Sequence, residues 1–372
     1  MAREPLPPDL PGTRTFAPAW CLDGCQGNVT KFPRGLDLLA FAFCTIVTLD
    51  YLPFAATLAE SVREWAPDAD FHALVACSEE ELTGTPLPRS QGIGWLSVDG
   101  LRTTRLGGEV YERYYGTNLD AFRWAAKPSL IAHLLSGEDA DGVIFLDGDI
   151  QVSGDCTSLM EETLSASVLL TPHWHQGTPT EGDSPFFRWF RTGLYNAGLV
   201  GATRAGLPAL EWWHRACVCA CEFRPDRSVY YDQKYLDLLP LLFDGVKVSG
   251  DRRYNVGGWR MDDFLATCSG TWPLPPSERP VFLHFTCFED VRLPGPCEQV
   301  IEAYSKRLQA NGLSYSLLAR IKEGRAAKLA ERRARKERPR GALAHLRSLL
   351  RLGTRWRHLR EMCRWRPAEF ED

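Results

Sequence analysis

The sequence predicts an α/β protein with a mostly parallel central sheet flanked by helices. Short, mostly apolar runs such as AFCTIVTL (42–49) and GVIFL (142–146) have the length and β-branched content of buried strands. Stretches with helical spacing, such as PFAATLAESVREW (53–65), fall between them. The strand–helix–strand alternation with short turns implies right-handed crossovers, which make neighbouring strands parallel.

The elements follow in order. Residues 1–36 are rich in Pro and Gly and read as an irregular leader. After the first strand come Asp50-Tyr51 and the helix just quoted, then strands at FHALVA (71–76) and GIGWLSV (92–98). One helix is expected over NLDAFRWAAKPSLIAHLLSG (118–137), leading into the GVIFLDGDI strand. SVLLTP (167–172) is the next strand, followed by a polar loop to about Thr192 and then by GLYNAGLVGAT (193–203). A helix at LPALEWWHRACVCACEF (207–223), the segment DQKYLDLLPLLF (232–243) and the apolar PVFLHF (280–285) complete one domain over 37–319. From Arg320 to Asp372 the chain is a basic, amphipathic helical tail.

Charge is distributed unevenly. The tail holds 17 Lys and Arg against 7 Asp and Glu, leaving 26 against 40 over residues 1–319. An acidic body with a basic tail points to an anionic surface as partner, and Leu343, Leu346 and Leu350 at helical spacing among arginines suit an anionic membrane surface. A solvated helix or a docking helix for a protein is the alternative. Nucleic acid is not expected, because the body is acidic and no recognition motif is visible. The N-terminal MAREPLPPDLPGTRTF has no apolar core of a signal peptide, and LDLLAFAFCTIVTLD is too short to span a bilayer. The expectation is therefore a cytoplasmic protein, peripheral on the inner face of the membrane, whose 12 cysteines are free thiols.

The chemistry is expected where GVIFL runs into Asp147-Gly148-Asp149. Open α/β sheets bind ligands beyond the carboxyl ends of their strands. Two carboxylates one glycine apart repel each other, and a hard divalent cation such as Mg²⁺ or Mn²⁺ removes that repulsion. An ordinary Asp-Gly turn is the plain alternative.

Five segments in order across 42–290 extend the pattern: TLDYLPFAATLAES, FRWAAKPSLIAHLL before FLDGDI, YNAGLVGAT, YDQKYLD and FLHFTCF. On them the chain resembles GT-A fold glycosyltransferases, the glycogenin-like and bacterial lipopolysaccharide galactosyltransferase group. The resemblance implies a Rossmann-like GT-A domain that uses a metal ion and a nucleotide-diphosphate sugar, a UDP-sugar foremost, to glycosylate a glycan or lipid-linked acceptor in cell-surface polysaccharide synthesis. It makes Asp147, Asp149 and His284 the metal ligands, with Asp147 also at the sugar-nucleotide diphosphate. Thr45, Thr48, Asp50 and Tyr51 take the nucleotide-pocket positions, and Lys127 contacts the donor phosphate or sugar. Asn196, Asp232 and Gln233 line the sugar and the reaction centre. Each has a bland alternative: a core imidazole for His284, a strand residue for Thr45, a solvated lysine for Lys127, and turns or caps for the rest. The family's lysine and tryptophan just after the metal histidine are missing from HFTCFEDVRLPGP, where Arg292 is the nearest substitute.

That resemblance implies retention, with the leaving phosphate accepting the proton and Asp232 and Gln233 stabilising the reacting centre. Inversion would need a base, for which Asp232 is the candidate. A sugar nucleotidyltransferase would need a Gly-rich basic loop after the first strand, and the sequence has none there. A non-catalytic, membrane-docked glycan-binding or scaffold protein on the same fold is the third possibility. CVCAC (217–221) is expected to be buried thiols on a helix rather than a zinc site, HWH (173–175) sits at a strand end where acceptor contact is plausible, and GTPTEGDSPFFRWF (177–190) fits an acceptor lid.

Overall fold

The expected α/β architecture is present. The computed structural model describes residues 40–337, apart from 89, 91, 138–139, 176, 180–184, 269–273, 276 and 289–295. The leader, the tail beyond 337, Arg292 and the middle of the expected lid lie outside the described residues.

Twelve strands are described: β1 Phe41–Val47, β2 Asp70–Val75, β3 Ile93–Ser97, β4 Gly142–Leu146, β5 Ile150–Val152, β6 Val168–Pro172, β7 Tyr195–Thr203, β8 Phe223–Arg224, β9 Val229–Tyr230, β10 Lys247–Val248, β11 Val256–Gly257 and β12 Phe282–His284. Seven make the main sheet in the order β10-β6-β7-β4-β1-β2-β3. All neighbours are parallel except β7, which runs antiparallel to β4 and β6. Every residue of β1 and of β4 is buried, as strands covered on both faces require.

Three elements differ from the expected pattern, each for a local reason. The helix expected over 118–137 is two helices, Leu119–Ala125 and Lys127–Ser136, because Pro128 has no N–H to continue the ladder and is tolerated only in a first turn. The run GVIFLDGDI is split: β4 belongs to the main sheet, whereas β5 pairs with β12, itself paired with β11, in a second sheet of three strands. The helix Leu317–Glu337 starts before Arg320, and Leu318 and Ile321 are buried with Phe285 and Tyr304 in a second core. Phe285 and Tyr304 stack there at 3.7 Å between ring centres. Among the described residues, no helix is long and apolar enough to cross a membrane, and the described cysteines are free thiols.

Candidate active site

The passage from one sheet to the other builds the site. Past the end of β4 the Asp147 N–H still donates to the Gly198 carbonyl of β7 at 2.9 Å, and the Ile150 N–H closes back on the Asp147 carbonyl at 3.0 Å. Asp147-Gly148-Asp149 is thus a turn and also the start of the antiparallel pairing of β5 with β12. In that pairing Ile150 faces His284, and the Phe285 N–H donates to the Asp149 carbonyl at 2.8 Å. His284 Nε2 comes to 3.1 Å from Asp149 Oδ1 and 3.8 Å from Asp147 Oδ2. The ligand atoms of the three residues all lie within 4.8 Å of one another, which suits one small cation.

Gly148 sits in this turn, but its φ is not in the left-handed region. Its reason is packing: a Cβ there would stand 2.9 Å from Val47 Cγ1. Gly198 matters more. A Cβ on it would lie 2.6 Å from Asn196 Oδ1, 2.7 Å from His284 Cε1 and 2.8 Å from Asp147 Oδ2, so only glycine lets these groups converge.

The imidazole is aimed from behind. Asn255 Oδ1 lies 2.9 Å from His284 Nδ1, so Nδ1 donates and the Nε2 side is turned to the carboxylates. Asn255 has φ +56°, a conformation asparagine tolerates better than most residues. The Trp259 ring meets His284 edge-on at 5.5 Å and donates its indole N–H to the His173 carbonyl. Burial works against a charged His284, but the carboxylates of Asp149 and then Asp147 outweigh it and hold its pKa above the ordinary value. Burial likewise pushes Asp149 up, and His284 overcomes it, so that carboxyl sits below its usual range.

Lys127 is not solvated. It opens the second of the two short helices at 4% exposure, with Nζ 3.0 Å from Asp147 Oδ1, 3.2 Å from Asp232 Oδ2 and 3.2 Å from the Ala197 carbonyl. Burial opposes its charge, and the two carboxylates more than restore it. Asp232 is buried behind the cavity wall rather than on it. Burial raises its pKa, chiefly against the pull of Lys127, and Trp213 fixes its backbone carbonyl at 2.8 Å.

The triad opens onto a cavity of about 460 Å³, whose wall also carries Tyr51, Lys127, Asn196 and Gln233. Asn196 Oδ1 accepts from the Gly198 N–H at 2.7 Å, and its Nδ2 is 3.2 Å from His173 Nε2. Gln233 spans the Thr192 carbonyl at 2.9 Å and the Ala197 N–H at 3.3 Å. Thr48 and Asp50, joined by a hydrogen bond, line an adjoining hollow with Cys77, Glu81 and Tyr115. Tyr51 stacks on Phe54 at 4.5 Å. Thr45 is the exception: it is fully buried in β1, its hydroxyl has no partner, and it does not line the cavity. Depth along the strand explains this: Thr45 shares a face with Val47, both against Gly148, but only Ile46 and Val47 at the strand end reach the cavity.

His173 and His175 stack in parallel at 4.8 Å, as alternate residues of HWH should, and both line the cavity. Burial lowers them to about 4 and about 3, so they are neutral at physiological pH. Cys217 and Cys221 are buried and Cys219 is exposed; among the described residues they form no metal cluster. Sequence reasoning missed Asn255, Trp259 and the rim residues Arg188 and Arg191. YNVGGW does carry a signal, the asparagine itself, which tolerates the left-handed region better than other non-glycine residues.

No protein-family model matches the chain. It is 26% identical over 232 residues to the uncharacterized protein YfnD of Bacillus subtilis (strain 168), covering 60% of this chain and 70% of that protein. It is 24% identical over 257 residues to YfnF of the same organism, covering 68% and 83%. Among solved structures it is similar to the galactosyltransferase LgtC in complex with donor and acceptor sugar analogs, at 16% identity, a TM-score of 0.45 and coverage of 73% of this chain and 96% of that one. It is also similar to mouse xyloside xylosyltransferase 1, at 14% identity, a TM-score of 0.41 and coverage of 69% and 100%. A third likeness, to the glycosyltransferase GlyE of Streptococcus pneumoniae TIGR4, has 14% identity, a TM-score of 0.41 and coverage of 78% and 64%.

Proposed function

We propose that the chain is a glycosyltransferase that moves a hexose from a UDP-sugar to a glycan or lipid-linked acceptor, with Mn²⁺ or Mg²⁺ held by Asp147, Asp149 and His284, in cell-surface polysaccharide synthesis. The observation that carries this reading is the convergence of two carboxylates and one imidazole on the wall of a cavity, at the mouth of a central strand. The donor set fits a hard divalent cation: two oxygens, one nitrogen pre-aimed by Asn255, and a cradle that a Cβ on Gly198 would fill. Bound there, such a cation supplies Lewis-acid stabilisation of the charge that grows on a departing nucleoside diphosphate.

The chain's own residues do the rest. Lys127 fixes Asp147 and adds positive potential beside it, and Asp232 anchors Lys127 from behind. Tyr51 offers a face for stacking, with Thr48 and Asp50 in the hollow next to it for base and ribose. Asn196 and Gln233 stand on the cavity wall, where they can hold sugar hydroxyls. Among the described residues, the acids on that wall are Asp147 and Asp149 alone, both assigned to the cation. With no further carboxylate there to serve as base, retention is the outcome this wall favours. The basic segment 320–372 supports a cytoplasmic site on an anionic membrane surface; deletion from 338 onward, which spares the buried Ile321, should abolish binding to anionic liposomes.

The test is turnover of a panel of UDP-sugars with and without Mn²⁺. Wild type should release UDP only with the metal, and Asp149→Ala should be folded and inactive. A folded Asp149→Ala with normal metal-dependent turnover would remove the metal assignment.

A further inference from the structure

One part of the cavity wall carries charge that the chemistry above does not use. It is formed by the short helix Arg188–Thr192 and the turn Pro185–Phe187 before it. Arg188, Arg191 and Thr192 face the cavity, at the spacing that puts residues on one side of a helix. Phe187 and Phe190 face outward, 49% and 65% exposed.

Among the described residues, the cavity's other cations are matched and this pair is not. Lys127 has Asp147 and Asp232, and Arg123 has Asp120 at 2.5 Å. No described carboxylate lies within 4.0 Å of Arg188 or Arg191. Both act electrostatically on His175, and Arg191 also on Tyr230, and all four line the cavity. A file of rings separates them from the metal triad: His284 to Trp259 at 5.5 Å, Trp259 to His173 at 5.9 Å and His173 to His175 at 4.8 Å. An anion held by the pair would sit at the His175 end of this file, and a diphosphate at the triad at its His284 end. Guanidinium pairs suit phosphate geometry, and exposed aromatics beside them suit an apolar chain.

We propose that Arg188 and Arg191 bind the phosphate of an amphiphilic acceptor, a lipid-linked phosphate whose apolar part lies along Phe187 and Phe190. This names the acceptor class of the transferase proposed above and rests on that reading.

The test measures binding of hexyl phosphate, inorganic phosphate and hexyl glucoside to the full chain saturated with UDP and Mn²⁺. Hexyl phosphate should bind, inorganic phosphate should bind more weakly, and hexyl glucoside should not bind. The double variant Arg188→Gln/Arg191→Gln should weaken hexyl phosphate by at least about tenfold while leaving UDP–Mn²⁺ affinity within about threefold. The Lys/Lys variant should recover part of the loss, which a misfolded protein would not. Phe187→Ser/Phe190→Ser should remove the advantage of hexyl phosphate over inorganic phosphate. The proposal is overturned if hexyl phosphate is displaced by UDP–Mn²⁺, or if the Gln variant loses UDP and keeps hexyl phosphate, since the pair would then hold the donor. A wild type that binds hexyl phosphate through the pair but binds no UDP with Mn²⁺ overturns the transferase reading instead, and with it the acceptor role.

Discussion

Replacing Asn255 by glycine separates the aiming of His284 from its presence. Glycine accepts the φ of +56° without strain, so the backbone stays, and only the 2.9 Å contact to His284 Nδ1 is lost. Partners of this kind are worth about ten- to a hundredfold in metal affinity, or about 1.4–2.7 kcal/mol. The fold should suffer less. One buried hydrogen bond contributes about 1 kcal/mol, and the Asn255 Nδ2 removed with it is a buried donor without a partner. Titrating Mn²⁺ into UDP-saturated protein reads the affinity, with quenching of Trp259, 5.5 Å from His284, as the signal. Asn255→Asp keeps an acceptor oxygen and should stay close to wild type. Wild-type Mn²⁺ affinity in Asn255→Gly would refute the aiming role and weaken the assignment of His284 as a ligand.

Three further outcomes are expected. Gly198→Ala should loosen the triad, weakening Mn²⁺-dependent UDP binding by about tenfold or more and lowering stability by about 1–3 kcal/mol in thermal melts, because its Cβ meets three groups at 2.6–2.8 Å. Lys127→Met leaves Asp232 buried without its countercharge and should cost about 3–5 kcal/mol in urea titrations, with Asp232→Asn added to it recovering part. Acid should destabilise the protein as pH falls from 6.5 toward about 4. The folded state refuses protons at His173 and His175 that the unfolded chain accepts, roughly 3 kcal/mol for His173 alone, so His173→Gln should make that limb shallower and leave the part due to His175. His284 does not blur this window, because its raised pKa makes its contribution constant below 6.5 and lost only above it.

What the sequence disclosed follows from where each signal is local. β1 and β4 are legible because strands buried on both faces are apolar without alternation, and Asp147 and Asp149 because a strand mouth is where ligands bind. His284 depended on a resemblance: nothing local to FLH says that it will pair with Ile150 across the chain. The break at Ala126 was written in Pro128, yet helical spacing on both sides concealed it, and that break seats Lys127 beside Asp147. Thr45 occupies a nucleotide-pocket position in the motif but lies too deep along β1, beneath Gly148 on the face it shares with Val47, to reach the cavity. Asn255 and Gly198 escaped notice because their roles lie in what they touch, or leave room for, on other elements.

The most direct measurement is anomalous diffraction from crystals of the full chain soaked with UDP and Mn²⁺. The account predicts a single manganese peak within about 2.0–2.3 Å of a carboxylate oxygen of Asp147, a carboxylate oxygen of Asp149 and Nε2 of His284. A manganese peak elsewhere, or full UDP occupancy with none between those three side chains, would contradict it.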